Sequence, residues 1–428
     1  MRLLSKKCRD LHTLNEPTMN QLRLKASLFL NYFLFAILLN SVGIVIFQVQ
    51  RNFHVSEQSA SVLEGFKDLS IAFCSFLVAS FIVKIGYKKA MLLGLALVGG
   101  FCLLMPSLSS FWATKALFAI IGIGFALIKI TTFASIGLLV NNDKEHSSLM
   151  NYLESFFMVG VLTAGFIFSF FVDDLHPEST DWFRVYYLLS GMAFIAFFLL
   201  LSAKMDETSL KVEVPTSLLA DFLSMLKMMA IPAVLIFIFN AFFYVLIEQS
   251  IMSWLPTFNS KVLHLPAALS IQMATILAAA TALGRFVAGI VFQRINWLIV
   301  VIACLVLAAG LILITMPLAN SVSGAVVTGW QDAPFVAYVF PLIGFLIAPI
   351  YPAINSTILS TLPKHQHASM SGLIVVFSAL GGTTGSIITG TVFHHFGGQA
   401  AFYFSIVPIT LLIIFLILFK RISAKNTL

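Results

Sequence analysis

Charge is what this chain has least of. Lys and Arg number 25 and Asp and Glu 18 among 428 residues, 10% of the whole, where a soluble domain usually carries about a quarter. That scarcity excludes a water-soluble globule. Cysteine is rarer still. Cys74, Cys102 and Cys304 fall in apolar runs and Cys8 in the N-terminal tail, so no pair sits in a loop that an oxidising compartment would cross-link. The nine histidines show no metal-ligand spacing. His365 with His367 and His394 with His395 fall at run edges, where solvated or headgroup-facing roles are expected. No glycine-rich segment is followed by the Lys-Ser/Thr of a phosphate loop, and Gly381-Gly382-Thr383-Thr384-Gly385 is read as close helix packing. No nucleophile is paired with a base. Neither an enzyme nor a bound metal or cofactor is therefore expected.

What is abundant is apolar length. Hydrophobic residues make up 59% of the chain and the mean hydropathy is +0.99. A helical crossing of a bilayer takes about 20 apolar residues. The runs are continuous rather than alternating, so they are read as helices, the other lipid-spanning solution being a closed barrel. Twelve are expected, at 26–50, 60–83, 89–107, 111–140, 147–172, 184–203, 229–255, 266–292, 297–318, 333–360, 368–393 and 398–420. The tenth holds Pro334, Pro341, Pro349 and Pro352 and is expected to bend. The fold class is an all-α membrane protein.

The basic residues fix an orientation. With both termini cytoplasmic, 18 Lys and Arg fall on the cytoplasmic side and three, Arg51, Arg184 and Lys261, on the other, as the positive-inside rule requires. The net charge of +7 is thus a topology signal divided among short loops, and nucleic acid is not an expected partner. The expected location is a bacterial cytoplasmic (inner) membrane. Residues 1–25 are polar and basic, so no cleavable signal peptide is expected, and Met19 is an alternative start.

The spans divide into six and six. The division is a cytoplasmic tail (1–25), a first bundle (26–203), a polar linker (204–228) with an amphipathic stretch at 217–226, a second bundle (229–421) and a short tail (422–428). This is the layout of transporters built from two parallel repeats. A local echo supports duplication. Ala79 to Lys89 after span two and Gly289 to Trp297 after span eight each place a small residue, a basic residue five later (Lys84, Arg294) and Gly or Asn two further on (Gly86, Asn296). The basic side chain there is expected to cap helix carbonyls or pair with an acid.

On these residues the chain resembles the major facilitator superfamily, whose signature between spans two and three is Gly-x-x-x-Asp-Arg-x-Gly-Arg-Arg/Lys. Lys84, Gly86 and Lys88-Lys89 match; Ala79 and Val83 replace the Gly and the Asp, and Gln293 and Asn296 are substitutions in the second copy. The resemblance implies two pseudo-symmetric six-helix bundles around a central cavity lined by spans one and seven. More loosely, Phe47 to Phe53, Ser253 to Phe258 and Tyr351 to Asn355 resemble the fucose–galactose–glucose proton symporters. Where those carry acids in spans one and four, this chain has Gly43 and Lys129.

Ionisable groups inside spans are the candidates for chemistry, because each costs on the order of 3 kcal/mol to insert and so faces a cavity or a partner. Lys129 and Glu154 lie at similar depth on antiparallel neighbours and are expected to pair or to receive a charged solute. Asn240, Tyr244 and Glu248 recur every four residues and share a helix face. Asn40 and Gln48 in span one, and Tyr351 and Asn355 in span ten, complete the candidate substrate-binding set. Glu154 and Glu248 are the expected proton-coupling carboxylates. Glu64, Lys67 and Asp68, at i, i+3 and i+4, are read with Lys84, Arg285 and Arg294 as gate or structural charges, and Lys115 is expected to join the first three. The function that follows is a secondary active transporter, expected to be monomeric, that moves a sugar, organic anion or zwitterion by alternating access with a coupling proton. Export of amphipathic drug- or siderophore-like compounds and a transport-dead receptor are the alternatives.

Overall fold

The computed structural model describes residues 16–139, 143–207, 223, 226–320, 327–361 and 367–425. Among the described residues fifteen α-helices follow the order of the twelve expected spans. Span one is α1 (Glu16–Asn40) and α2 (Val42–Phe53), broken at Ser41. Spans two to six are α3 (Glu57–Ile85), α4 (Tyr87–Leu108), α5 (Phe111–Leu139), α6 (Asp143–Ser169) and α7 (Val185–Ser202). Span seven is α8 (Pro232–Met252) and α9 (Leu255–Lys261); spans eight and nine are α10 (Ala267–Val291) and α11 (Trp297–Asn320). Span ten splits into α12 (Phe335–Ile347) and α13 (Ile350–Thr361) at Ala348-Pro349, the bend its prolines predict. Spans eleven and twelve are α14 (His367–Phe404), which turns at Gly397, and α15 (Ile406–Lys425).

One boundary differs from expectation: α1 begins at Glu16, ten residues before the expected span. Leu24 is buried in the core, and Asn20 Nδ2 donates to the Lys204 carbonyl at 2.7 Å. The expected amphipathic stretch of the linker lies outside the described residues, apart from Leu223 and Leu226.

The pairings repeat with a shift of six spans. In the first half α1 packs on α6 and α7, α3 and α4 on α5, and α4 on α7; in the second α8 packs on α14 and α15, and α10 and α11 on α12. The halves meet through α3 against α14 and α6 against α10. Exchanging the halves maps one contact onto the other, which is the two-fold relation of parallel repeats.

The hydrogen bonds joining described residues of the two halves all lie toward the face opposite the termini, the distal face. Lys261 Nζ contacts Glu57 Oε1 at 2.5 Å and Gln50 Oε1 at 3.0 Å, and His394 Nδ1 sits 3.0 Å from Glu57 Oε2. Gln50 Nε2 donates to Thr257 Oγ1 at 3.4 Å, and Gln272 Nε2 to Ser169 Oγ at 3.2 Å. Asp174 Oδ1 accepts the Ala267 amide at 2.5 Å, so a carboxylate of the first half caps a helix N-terminus of the second. The breaks in spans one and seven touch each other here. An ideal Cβ on Gly43 would lie 2.7 Å from the Ser253 carbonyl oxygen and 2.8 Å from its Cα, so only glycine permits this approach. Among the described residues the hydrogen bonds between the halves lie distally, and none lies toward the face that carries the termini.

Candidate functional site

Away from those contacts lies a cluster of charges in mid-helix. On α8, Tyr244 and Glu248 are one turn apart, and the Tyr244 hydroxyl donates to Glu248 Oε1 at 2.7 Å. Arg285 of α10 reaches the same oxygen with Nη2 at 3.4 Å. Tyr351 of α13 stacks on Tyr244, ring centroids 5.3 Å apart and planes at 27°, and its hydroxyl is 3.2 Å from Ser378 Oγ. Asn355, one turn along, keeps a buried Oδ1 without a partner. The four-residue stripe therefore faces protein and cavity rather than lipid.

Across the cavity the first half supplies Lys129 and Glu154. Lys129 is surrounded by protein yet reached by solvent, with Nζ 5.6 Å from the Phe125 ring centroid. Glu154 is solvent-exposed and interacts electrostatically with Lys129, Tyr32 and, across the cavity, Arg285. Of the two roles expected of Lys129 and Glu154, a contact pair is not the one seen, since no salt bridge within 4.0 Å joins them. Arg285, expected as a gate or structural charge, stands against Glu248. Each half thus presents one cation and one anion to the same solvent-reached space.

The other sequence candidates scatter. Asn240 is fully buried; its Nδ2 donates to the Ile236 carbonyl at 2.9 Å and its Oδ1 has no partner. It stands behind the cavity wall. Gln48 is buried on the distal side, with Nε2 unpartnered. Asn40 donates to the Ala36 carbonyl at 2.8 Å and, with Lys67, Gln249, Ser253 and Thr275, lines a cavity of about 70 Å³ between the halves. Arg294 is exposed at its turn, and the Lys84 side chain lies outside the described residues.

Glu64, Lys67 and Asp68 form the expected cluster and are all buried. Lys67 Nζ hydrogen-bonds Glu64 Oε1 and stands 3.4 Å from Asp68 Oδ1. Glu64 Oε2 accepts the Ser253 hydroxyl at 2.9 Å. Lys115 does not join them; its Nζ rests 4.3 Å from the centroids of Phe111 and of the exposed Trp112, where a long cationic side chain finds ring faces without leaving the membrane edge.

Sequence reading missed three arrangements. At the rim, Glu57 opens α3, and burial alone raises its pKa; hydrogen bonds from Lys261 and His394 outweigh that and hold it below the usual carboxylate range. At the terminal face Glu207 Oε1 accepts the Lys88 amide at 2.7 Å while Lys88 Nζ caps the Leu201 and Ala203 carbonyls at 3.0 and 2.7 Å. There Gly86 has φ +89°, a value that favours glycine. The third is Ser378 beside Tyr351. The partners within these arrangements are 27 to 337 residues apart, and only the acid-and-base inventory at span ends hinted at them.

Comparison with known proteins agrees with this architecture. The sequence profile of the Major Facilitator Superfamily matches residues 28–386. A comparison with curated protein sequences finds no match. Among solved structures the chain is similar to a bacterial homolog of the human lysosomal transporter Spinster in an inward-facing, unoccupied conformation, with 12% identity over 97% of this chain and 99% of that one and a TM-score of 0.74. It is similar to the nucleoside transporter NupG, with 14% identity over 94% and 98% of the two chains and a TM-score of 0.68. It is also similar to the transporter FucP in the outward conformation, with 16% identity over 92% and 98% and a TM-score of 0.59. At these identities the similarity is one of fold.

Proposed function

The chain belongs to the major facilitator superfamily and is a transporter, not an enzyme; from this we propose that it carries a small zwitterionic organic solute across the membrane by alternating access, coupled to protons. The observation behind the substrate class is the double dipole of the cavity: Lys129 and Glu154 from one half, Arg285 and Glu248 from the other. A solute bearing one carboxylate and one ammonium can bridge the halves with both its charges met, and the bridge draws the halves together over it. Tyr244 and Tyr351 offer an aromatic wall, and Ser378 and Asn355 add polar contacts for the rest of the molecule. A neutral sugar offers no charge of its own to Lys129, Glu154, Arg285 or Glu248, which disfavours it against a zwitterion.

In this reading the observed state opens to the cytoplasm, since the termini share their face with the bulk of the basic residues. The membrane is the bacterial inner membrane, and a single chain suffices, because both halves of the site lie within it. The test is uptake into proteoliposomes of labelled amino acids, short peptides and betaines, with sugars and nucleosides alongside, under an imposed pH gradient. Zwitterion uptake above protein-free liposomes is expected. Uptake of neutral sugars alone refutes the substrate class, and no uptake of any solute with the protein correctly inserted refutes the transport reading.

A further inference from the structure

We propose that the Glu64–Lys67–Asp68 cluster of α3 is the coupling-proton site, loaded from distal water and sealed when the halves close over it. The inference rests on the transporter reading above and relocates the coupling proton from the carboxylates of the cavity.

Charge counting comes first. Glu154 and Glu248 each answer a cation of their own half in a space that water reaches. The α3 cluster has two carboxylates and one ammonium, all buried. It carries one negative charge too many, and membrane-depth groups of that kind are conserved in energy only by a partner or a proton. Among the described residues no other ionisable group faces it. From α5 comes the backbone at Gly122, with Lys115 away on its aromatic rings; from α8 come Ser253 and Gln249; from α14 come Gly382, Thr383 and Ser386. One proton on Asp68 leaves a neutral acid beside a neutral Glu64–Lys67 pair, and the charge balances.

Position comes second. The walls that bury the cluster belong to the other half. Ser253 of the α8 C-terminus holds Glu64, and Gly382 of α14 lies so near Asp68 that a Cβ there would collide with Oδ2. Opening the distal face removes both walls and admits water, whereas closing it removes the water. The proton affinity of the cluster must then differ between the two states, which is what couples a proton to a conformational change. Two features show that the site is built to hold something small. Thr383 Oγ1 is buried beside Gly65 with no hydrogen-bond partner. The cavity that Lys67 lines with Asn40 and Gln249 is polar and large enough to hold water, through which a proton can be passed.

The experiment uses the full chain in lipid nanodiscs, its four cysteines replaced by alanine and spin labels placed at Thr180 and Gln331, exposed positions in distal loops of the two halves. Raising the pH from about 6 to about 9 is expected to move the wild-type distance distribution from the short, closed population toward a long one, since deprotonation leaves the buried charge uncompensated. Asp68→Asn, a near-isostere of the protonated acid, is expected to stay closed at both pH values, with a shift at least tenfold smaller. His394→Gln removes the imidazole that contacts Glu57 at the rim and is expected to keep the wild-type response. Infrared difference spectra supply a readout independent of the labels: a protonated-carboxyl C=O band in the closed state that Asp68→Asn lacks. The assignment is overturned by a wild-type distance that ignores pH, by a full response surviving in Asp68→Asn, by a response lost only in His394→Gln, or by a shift that follows sodium at fixed pH. Solute flux separates the two readings. Proton-gradient-driven accumulation that persists in Asp68→Asn defeats this assignment alone, and absence of flux defeats transport itself.

Discussion

Adding one methyl group at Gly43 is a sharp probe of alternating access. Gly43 lies in α2 of the first half, and the atoms an added Cβ would meet, the Ser253 oxygen at 2.7 Å, Cα at 2.8 Å and carbonyl carbon at 3.0 Å, are backbone of the second half. Backbone cannot rotate away as a side chain can. Overpacking of this kind costs about 1–3 kcal/mol, and here it is charged to the distally closed state alone, because opening the distal face separates the two atoms. Gly43→Ala should therefore shift the closed-to-open equilibrium by roughly 5- to 150-fold toward distal opening while leaving each half folded. The assay pairs distal accessibility, read by labelling of a cysteine at Gln50 or Thr257 in the interface, with thermal melting of the same protein. Labelling is expected to rise while Tm holds within a few degrees. A fall in Tm with unchanged labelling refutes the reasoning, since the strain would then be borne inside one half. The same crowding explains why this position, where the resembled sugar symporters carry an acid, holds no side chain here.

Further outcomes follow from the same geometry. Lys129→Ala and Glu248→Gln should each lower solute transport about tenfold or more, the scale of losing a hydrogen bond to a charged group, with membrane insertion intact; equal transport by both mutants would falsify the site. Glu57→Gln weakens the rim contact with Lys261 and His394 by about 1 kcal/mol or less, because these groups are partly exposed, and should raise distal labelling modestly. The Glu57 carboxyl is held below its ordinary value of about 4.3 in the closed state. Its contribution to closure is therefore complete above that pH and is lost as pH falls through the depressed value, so distal labelling at strongly acidic pH should rise in wild type and less in Glu57→Gln. Glu207→Gln leaves the Lys88 amide with a weaker, uncharged acceptor and should lower the thermal midpoint by an amount equivalent to about 1 kcal/mol.

Much of the molecule is legible in one dimension because lipid is a simple solvent. Continuous apolar runs, the prolines of span ten and the asymmetric placement of basic residues follow from the costs of exposing backbone and charge to hydrocarbon, and each is paid locally. The stripe Tyr244–Glu248 and the buried trio Glu64, Lys67 and Asp68 were readable for the same reason, since charges four residues apart on one helix share a face. Lys115 was misjudged because sequence gives depth along a helix and not azimuth around a bundle; it faces Trp112 and the membrane edge rather than α3.

The sequence by itself determined twelve crossings, two repeats and which charges lie at membrane depth, because those depend on the length and polarity of contiguous segments. Packing between segments alone placed Arg285 against Glu248, Glu207 on the Lys88 amide, Gly43 on the backbone of Ser253, and the contacts between the halves on the distal side. Each of these joins residues from 37 to 210 positions apart, and such contacts arise from how helices rotate and tilt against one another, a choice made by packing between segments and not written in any one of them.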